Sequence, residues 1–248
     1  MTYVDLNCDC GECLPGVDEK TILSLVTSCN IACGGHAGNK DSMVQTVQWA
    51  MNNRLAIGAH PSYPDPGAFG RRSLKLSKAA FQSSIKSQID ALAEVLQLQG
   101  AELAHIKAHG ALYHDLNQNQ TLTSQYLEAL EEYLKDTAIM TMPGSILEAE
   151  ALKLGYTVIR EAFADRKYLD QSRLMKRGQK GAVIEQPFEV LAQIKSMAID
   201  GKVTTFSGEN VAIKADSYCL HSDHIGTLQI LRYLREHLEG ESIKLKVR

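Results

Sequence analysis

The chain has 248 residues, 44% of them hydrophobic, and its 26 Lys and Arg nearly balance 29 Asp and Glu, for a formal net charge of −3. That balance, with no basic tract, argues against a nucleic-acid footprint, and no apolar run approaches the roughly 20 residues that span a bilayer. The opening Met1-Thr2-Tyr3-Val4-Asp5 shows no secretory pattern, so a cytoplasmic globule is expected; no linker or repeat divides the chain, so one domain over residues 1–248 is expected.

A first strand is predicted over Tyr3–Asn7, with Asp5, Asn7, Asp9 and Glu12 in it or just beyond. Cys8, Cys10 and Cys13 crowd the same segment, Cys29 and Cys33 follow, and Cys219 lies far downstream. Without an export signal these are expected to be reduced, partly buried thiols, and they lack the two separated ligand pairs of a structural zinc site. The second strand, Cys29–Cys33, carries Asn30 and leads to His36 in a glycine-rich turn. Met43, Val44, Val47 and Met51 make a short helical stripe. The third strand, Ala56–His60, ends in His60 and runs into a proline-rich loop that presents Arg71 and Arg72. Phe81, Ile85, Ile89, Leu92 and Leu96 form the clearest helical stripe and stop before Gly100. The fourth strand, Ala104–Ala108, holds Lys107 and is followed by His109; a charged group in an apolar strand needs a partner or a task. Leu122, Tyr126, Leu130 and Leu134 mark another helix, and a fifth strand is expected over Ala138–Met142, with Met140 and Met142 in the core. The sixth, Thr157–Glu161, precedes Asp165 and Arg166. Lys202–Lys214 has the form of a hairpin around Gly208-Glu209-Asn210, the seventh strand, Ser217–His221, ends in His221 and Asp223, and Ser242–Val247 alternates like an edge strand.

Strand and helix in alternation give an α/β fold with a parallel sheet covered by helices. About seven units suit a closed (β/α) barrel, with an open doubly wound sheet as the alternative. Both place ligands at the carboxyl ends of the strands, so the polar residues above should converge in space. Any one of His36, His60, His109 and His221 alone is ordinarily a structural histidine; four at strand ends point to a site. His105 and His237 read as ordinary, partly exposed residues, while His114 and His224 border the expected site. The chain lacks a phosphate-binding P-loop, a Gly-x-Gly-x-x-Gly fingerprint, a His-Glu-x-x-His pair and a Gly-x-Ser-x-Gly elbow. General acid–base chemistry by carboxylates, histidines and lysine remains, with or without a metal.

Six ordered motifs carry a resemblance: Asp5–Glu12, Asn30–Gly38, Ile57–Asp65, Phe69–Arg72, Lys107–Tyr113 and Glu161–Arg166. Together they resemble the LamB/YcsF family, that of the A component of ATP-dependent 5-oxoprolinase. Asn39 stands where that family commonly has aspartate, which weakens any role for a carboxylate in that loop. The resemblance implies a barrel related to glycoside hydrolases and polysaccharide deacetylases. It also implies opening of the lactam of 5-oxo-L-proline to L-glutamate with ATP hydrolysis, and two partner subunits of the B and C type. A divalent metal such as magnesium accompanying ATP is an open possibility.

In this reading Asp9, Glu12, Lys107, His109 and Asp165 are catalytic, with Asp9 or Glu12 activating water and Lys107 and the histidines stabilising negative charge. Asp5, Asn7, Asn30, His36, His60, Arg71, Arg72, Arg166, His221 and Asp223 are expected to bind substrate, Arg71 or Arg72 by bidentate contact with a carboxylate or phosphate. Two other readings stand beside it. One is a stand-alone metal-dependent amidase or deacetylase using Asp9 with two of His36, His60, His109 and His221; the other is a non-catalytic subunit that presents substrate to a partner enzyme.

Overall fold

Each of the seven predicted strands is present, and together they close on themselves rather than forming an open sheet. The computed structural model describes residues 1–223 and 226–246. Strand β1 (Thr2–Cys10) pairs in parallel with β2 (Ser28–Ala32), followed around the barrel by β3 (Ala56–His60), β4 (His105–Lys107), β5 (Ala138–Thr141) and β6 (Val158–Phe163). Two antiparallel hairpins come next: β7 (Tyr168–Asp170) with β8 (Arg173–Leu174), and β9 (Lys202–Thr204) with β10 (Asn210–Ala212). Strand β11 (Ser217–Leu220) then pairs with β6 on one side and β1 on the other, which completes the barrel. The terminal β12 (Ile243–Leu245) lies parallel to Thr2–Val4 and lengthens β1's sheet; Val247 lies outside the described residues.

Helices α1 (Glu19–Leu23), α2 (Lys40–Asn52), α3 (Lys78–Gln99), α4 (Gly110–Leu116), α5 (Gln120–Leu130), α6 (Ile146–Lys153), α7 (Pro187–Ile199) and α8 (Thr227–His237) cover the barrel. The five apolar residues predicted to line α3 are buried. In α2 the stripe is narrower than its sequence suggests: Met43 and Val47 are buried, whereas Val44 is exposed. Asn39 caps α2, its side chain accepting from Ser42 N at 3.0 Å, a task that aspartate does equally well. Among the described residues, no helix is long and apolar enough to cross a membrane.

The period of two along β1 explains where the core lies. Val4, Leu6, Cys8 and Cys10 alternate with Asp5, Asn7 and Asp9, and all are buried. The apolar set faces the helices and joins the main core, whereas the polar set faces into the barrel. Polar residues from β2, β4, β6 and β11 fill the same lumen, and Ala138, Met140 and Ile159 form a small apolar cluster apart from the main core. All six cysteines are free; Cys13 is exposed and the others buried.

Candidate active site

The lumen is built upward from hydrogen-bonded layers, as buried polar groups require. At its floor the Asp5 carboxylate accepts from Thr27, Ser28 and Ser217 hydroxyls. One layer above, Asn7 Nδ2 donates to Ser217 Oγ at 2.8 Å and its Oδ1 accepts from Asn30 Nδ2 at 2.9 Å. The same Asn30 amide reaches Asp9 Oδ1 at 2.8 Å, so Asn30, itself held by Asn7, fixes the carboxylate at the mouth.

Lys107 is the hub. Its buried ammonium lies 2.8 Å from Asp9 Oδ1, 2.7 Å from Glu161 Oε1 and 3.3 Å from Cys219 Sγ, with the Phe163 ring 5.8 Å away. Burial opposes its charge, but Asp9, Cys219 and Glu161 more than offset this and hold the ammonium well above its ordinary range. Burial likewise works against an ionised Asp9, yet His60 and Lys107 keep that carboxyl well below the usual range.

Above Asp9 stand three imidazoles. His60, at the end of β3, places Nε2 3.3 Å from Asp9 Oδ2 and 3.0 Å from His109 Nδ1. His36, from the loop after β2, stacks on His109 at 3.6 Å between ring centroids and meets Glu12 Oε1 with Nε2 at 3.2 Å. The Gly11 and Glu12 N–H groups both donate to the Glu19 carboxylate of α1, which sets the loop that carries Glu12. Burial, and then Asp9, push the Glu12 carboxyl well above its ordinary value; burial and then His60 bring His36 down to about 3.

Asp165 and His221 form a second, adjoining group. The Asp165 carboxylate accepts from His221 N at 2.9 Å and faces His221 Nδ1 at 3.0 Å, while the imidazole stacks on Phe163. The His221 ring still comes within 4.8 Å of Asp9 and Cys219, ligand atom to ligand atom. Across the mouth Arg71 donates to Asp223 at 2.6 Å with its guanidinium over Phe69, and Arg177 grips the same carboxylate.

Asn7, Asp9, Glu12, Asn30, His36, His60, Lys107, His109, Asp165 and His221 are thus brought together, with Arg71 and Asp223 at the rim. Two expected members, Asp5 and Arg72, are engaged elsewhere. Asp5 lies four residues, about 13 Å, down β1 from Asp9 and serves as the lumen's floor. Arg72 pairs with Asp65 of its own loop, whereas buried Arg166 donates through Nη2 to Met175 O and stays within electrostatic reach of Asp165 and Cys219.

The LamB/YcsF family model matches residues 4–247. The chain belongs to the LamB/YcsF family. A relative from Symbiobacterium thermophilum, named as the A component of 5-oxoprolinase, is 38% identical over 246 residues, covering 98% of this chain and 94% of that one. Its counterpart of the same name from Pyrococcus abyssi is 39% identical, covering 98% and 96%. The solved lactam utilization protein from Thermus thermophilus superposes with a TM-score of 0.91 at 34% identity, covering 99% of this chain and all of that one.

Against this family background, several site residues escape the sequence reading. His105 is buried rather than partly exposed, with Nε2 2.7 Å from Asn30 Oδ1. It stands two residues before Lys107 in a strand, and that spacing alone assigns it to the lumen. Gly58 makes room for it, since a Cβ there would lie 2.2 Å from His105 Nε2. Cys219, against Lys107, follows from the same alternation, and Glu161, one of the polar residues expected at the strand ends, meets the same ammonium. His237 is exposed and stacks on Tyr233, His114 is exposed on α4, and His224 lies outside the described residues.

Proposed function

We propose that this chain is the A component of a 5-oxoprolinase, opening the lactam of 5-oxo-L-proline to L-glutamate with coupled ATP hydrolysis in the cytoplasm, beside two further subunits of the B and C type. The observation that carries this reading is one buried mouth holding two carboxylates, an ammonium and three imidazoles, in a chain whose full-length relatives bear that name. A lactam is a resonance-stabilised amide. Its hydrolysis needs a base for water and positive charge at the carbonyl oxygen.

The contacts at the mouth support a division of these tasks. Asp9 Oδ1 is taken by Lys107 and Asn30 and its Oδ2 faces His60, so Asp9 orients its neighbours. Glu12 meets His36 at the rim and is the carboxylate placed to take a proton from water. Lys107 supplies positive charge toward the lactam oxygen, His109, which burial keeps uncharged, stands beside it, and Arg71 is the rim cation for the substrate's free carboxylate. ATP, as co-substrate with its magnesium, would phosphorylate that oxygen and release ADP. Water then adds to the carbon, and the C–N bond breaks as nitrogen takes the proton held by Glu12. A second water frees phosphate and glutamate.

The test is turnover by the chain assembled with its partner subunits. The expected result is glutamate and ADP in equal amounts, with Asp9→Asn and Glu12→Gln each slowing ring opening by about 10²–10⁴-fold while assembly is unchanged. No glutamate from the intact complex, or near-normal rates in both variants, would overturn the assignment.

A further inference from the structure

Four acceptor atoms meet at the mouth, and the one N–H of each neutral imidazole is committed elsewhere. His60 Nδ1 lies 2.8 Å from Lys107 O, and a carbonyl only accepts, so Nδ1 carries an N–H and, in the neutral ring, Nε2 presents a lone pair. His109 Nε2 lies 3.0 Å from Phe69 O, so in the same way Nδ1 presents a lone pair. These two lone-pair nitrogens face each other at 3.0 Å. Asp9 Oδ2 is 3.3 Å from His60 Nε2, and Glu12 Oε1 is 3.8 Å from His109 Nδ1. With both rings neutral and both carboxyls ionised the four repel, and a single proton can bridge only two of them.

The spacing and the surroundings are those of ligands around a cation. Ligand atoms about 2.0–2.1 Å from a tetrahedral zinc stand about 3.3 Å apart. Metal-bound imidazoles ordinarily give their other N–H to a carbonyl or carboxylate, which fixes tautomer and orientation. Lys107 O and Phe69 O do this here, Asn30 and Lys107 hold the remaining Asp9 oxygen, and the stacked His36 ring braces His109. Phe69 adopts φ +52°, an uncommon conformation for an aromatic residue, beside the carbonyl it offers His109.

We infer that Asp9 Oδ2, His60 Nε2 and His109 Nδ1 form a binding site for one divalent transition-metal cation, with Glu12 beside its remaining position. Two imidazoles and a carboxylate suit Zn²⁺ or Co²⁺ rather than Mg²⁺, so the site is distinct from any magnesium carried by ATP. Three protein ligands with an open position is the arrangement in which a bound cation polarises a carbonyl oxygen.

The experiment uses the full chain without lactam or ATP, so its outcome is independent of the proposed activity. The protein is stripped with a chelator, dialysed against Zn²⁺ or Co²⁺, and assayed by elemental analysis, visible absorption of the Co²⁺ form and thermal unfolding. Expected are one equivalent per chain, intensified cobalt absorption and a higher Tm. His60→Gln and His109→Gln should each weaken Zn²⁺ binding by at least about 100-fold, while His237→Gln, on the exposed end of α8, leaves it unchanged. For a variant that fails to fold, nitrogen-15 spectra of the wild type decide: Zn²⁺ should shift His60 Nε2 and His109 Nδ1. The inference is overturned by a folded wild type that retains neither ion stoichiometrically, by binding unaffected in both folded variants, or by a proton between the two rings that Zn²⁺ does not displace.

Discussion

Asp165 illustrates how a single buried side chain couples the site to stability. Burial works against its charge, but His221, by its charge and by hydrogen bonds from both backbone and ring, holds the carboxyl below its ordinary value. A depressed folded-state pKa stabilises the protein above the unfolded value, about 3.9, and that contribution fades as pH falls through the folded value. Asp165→Asn should therefore cost about 3 kcal/mol at pH 7, and the gap to wild type should narrow at pH 3. Urea unfolding at the two pH values checks this; a gap that stays constant or widens on acidification would contradict it. At this scale the sequence exposes identity more readily than direction. Lys107 and the four strand-end histidines stand out by type, whereas His105 looks ordinary until its two-residue spacing from Lys107 is taken as a shared face.

Among the elements, β1 has the pattern that best accounts for the fold, because its alternation places carboxylates and amides in the lumen and thiols and aliphatics under the helices. The loop after β3 is placed by contact rather than by pattern. Gly110, the first residue of α4, has φ +56°, and a Cβ there would lie 2.6 Å from Gly70 O. That close approach lets Ala111 N donate to Gly70 O at 2.9 Å and keeps Phe69 O against His109. Gly110→Ala is expected to cost about 2 kcal/mol, through strain at positive φ and the forced retreat of the loop. Unchanged urea midpoints in this variant would show that the loop is not wedged by α4. Strands and the long α3 were legible because their apolar periods are regular. The β7–β8 hairpin was not, since it is short and half exposed, and it is tied to the barrel by Tyr168, whose hydroxyl accepts from Phe163 N at 2.7 Å.

For the molecule as a whole, closure of β11 on β1 is what turns seven scattered strand ends into one mouth. It brings Asp9 of the first strand beside Cys219 and His221 of the last, although some 210 residues separate them in the chain. Loops from three parts of the sequence then meet over the rim through Asp223, held by Arg71 and Arg177. The family's motifs made this convergence legible before any geometry, but they could not distinguish the floor, where Asp5 is spent on hydroxyls, from the mouth, where Asp9 and Glu12 face the rim. A crystal structure of the chain, assembled with its partner subunits, with 5-oxoproline and a non-hydrolysable ATP analogue tests the location of the chemistry most directly. The lactam carbonyl is expected between Lys107 and Glu12, with the substrate carboxylate toward Arg71. Clear density for the lactam elsewhere, with the Asp9–Lys107–His60 mouth closed to it, would contradict the assignment.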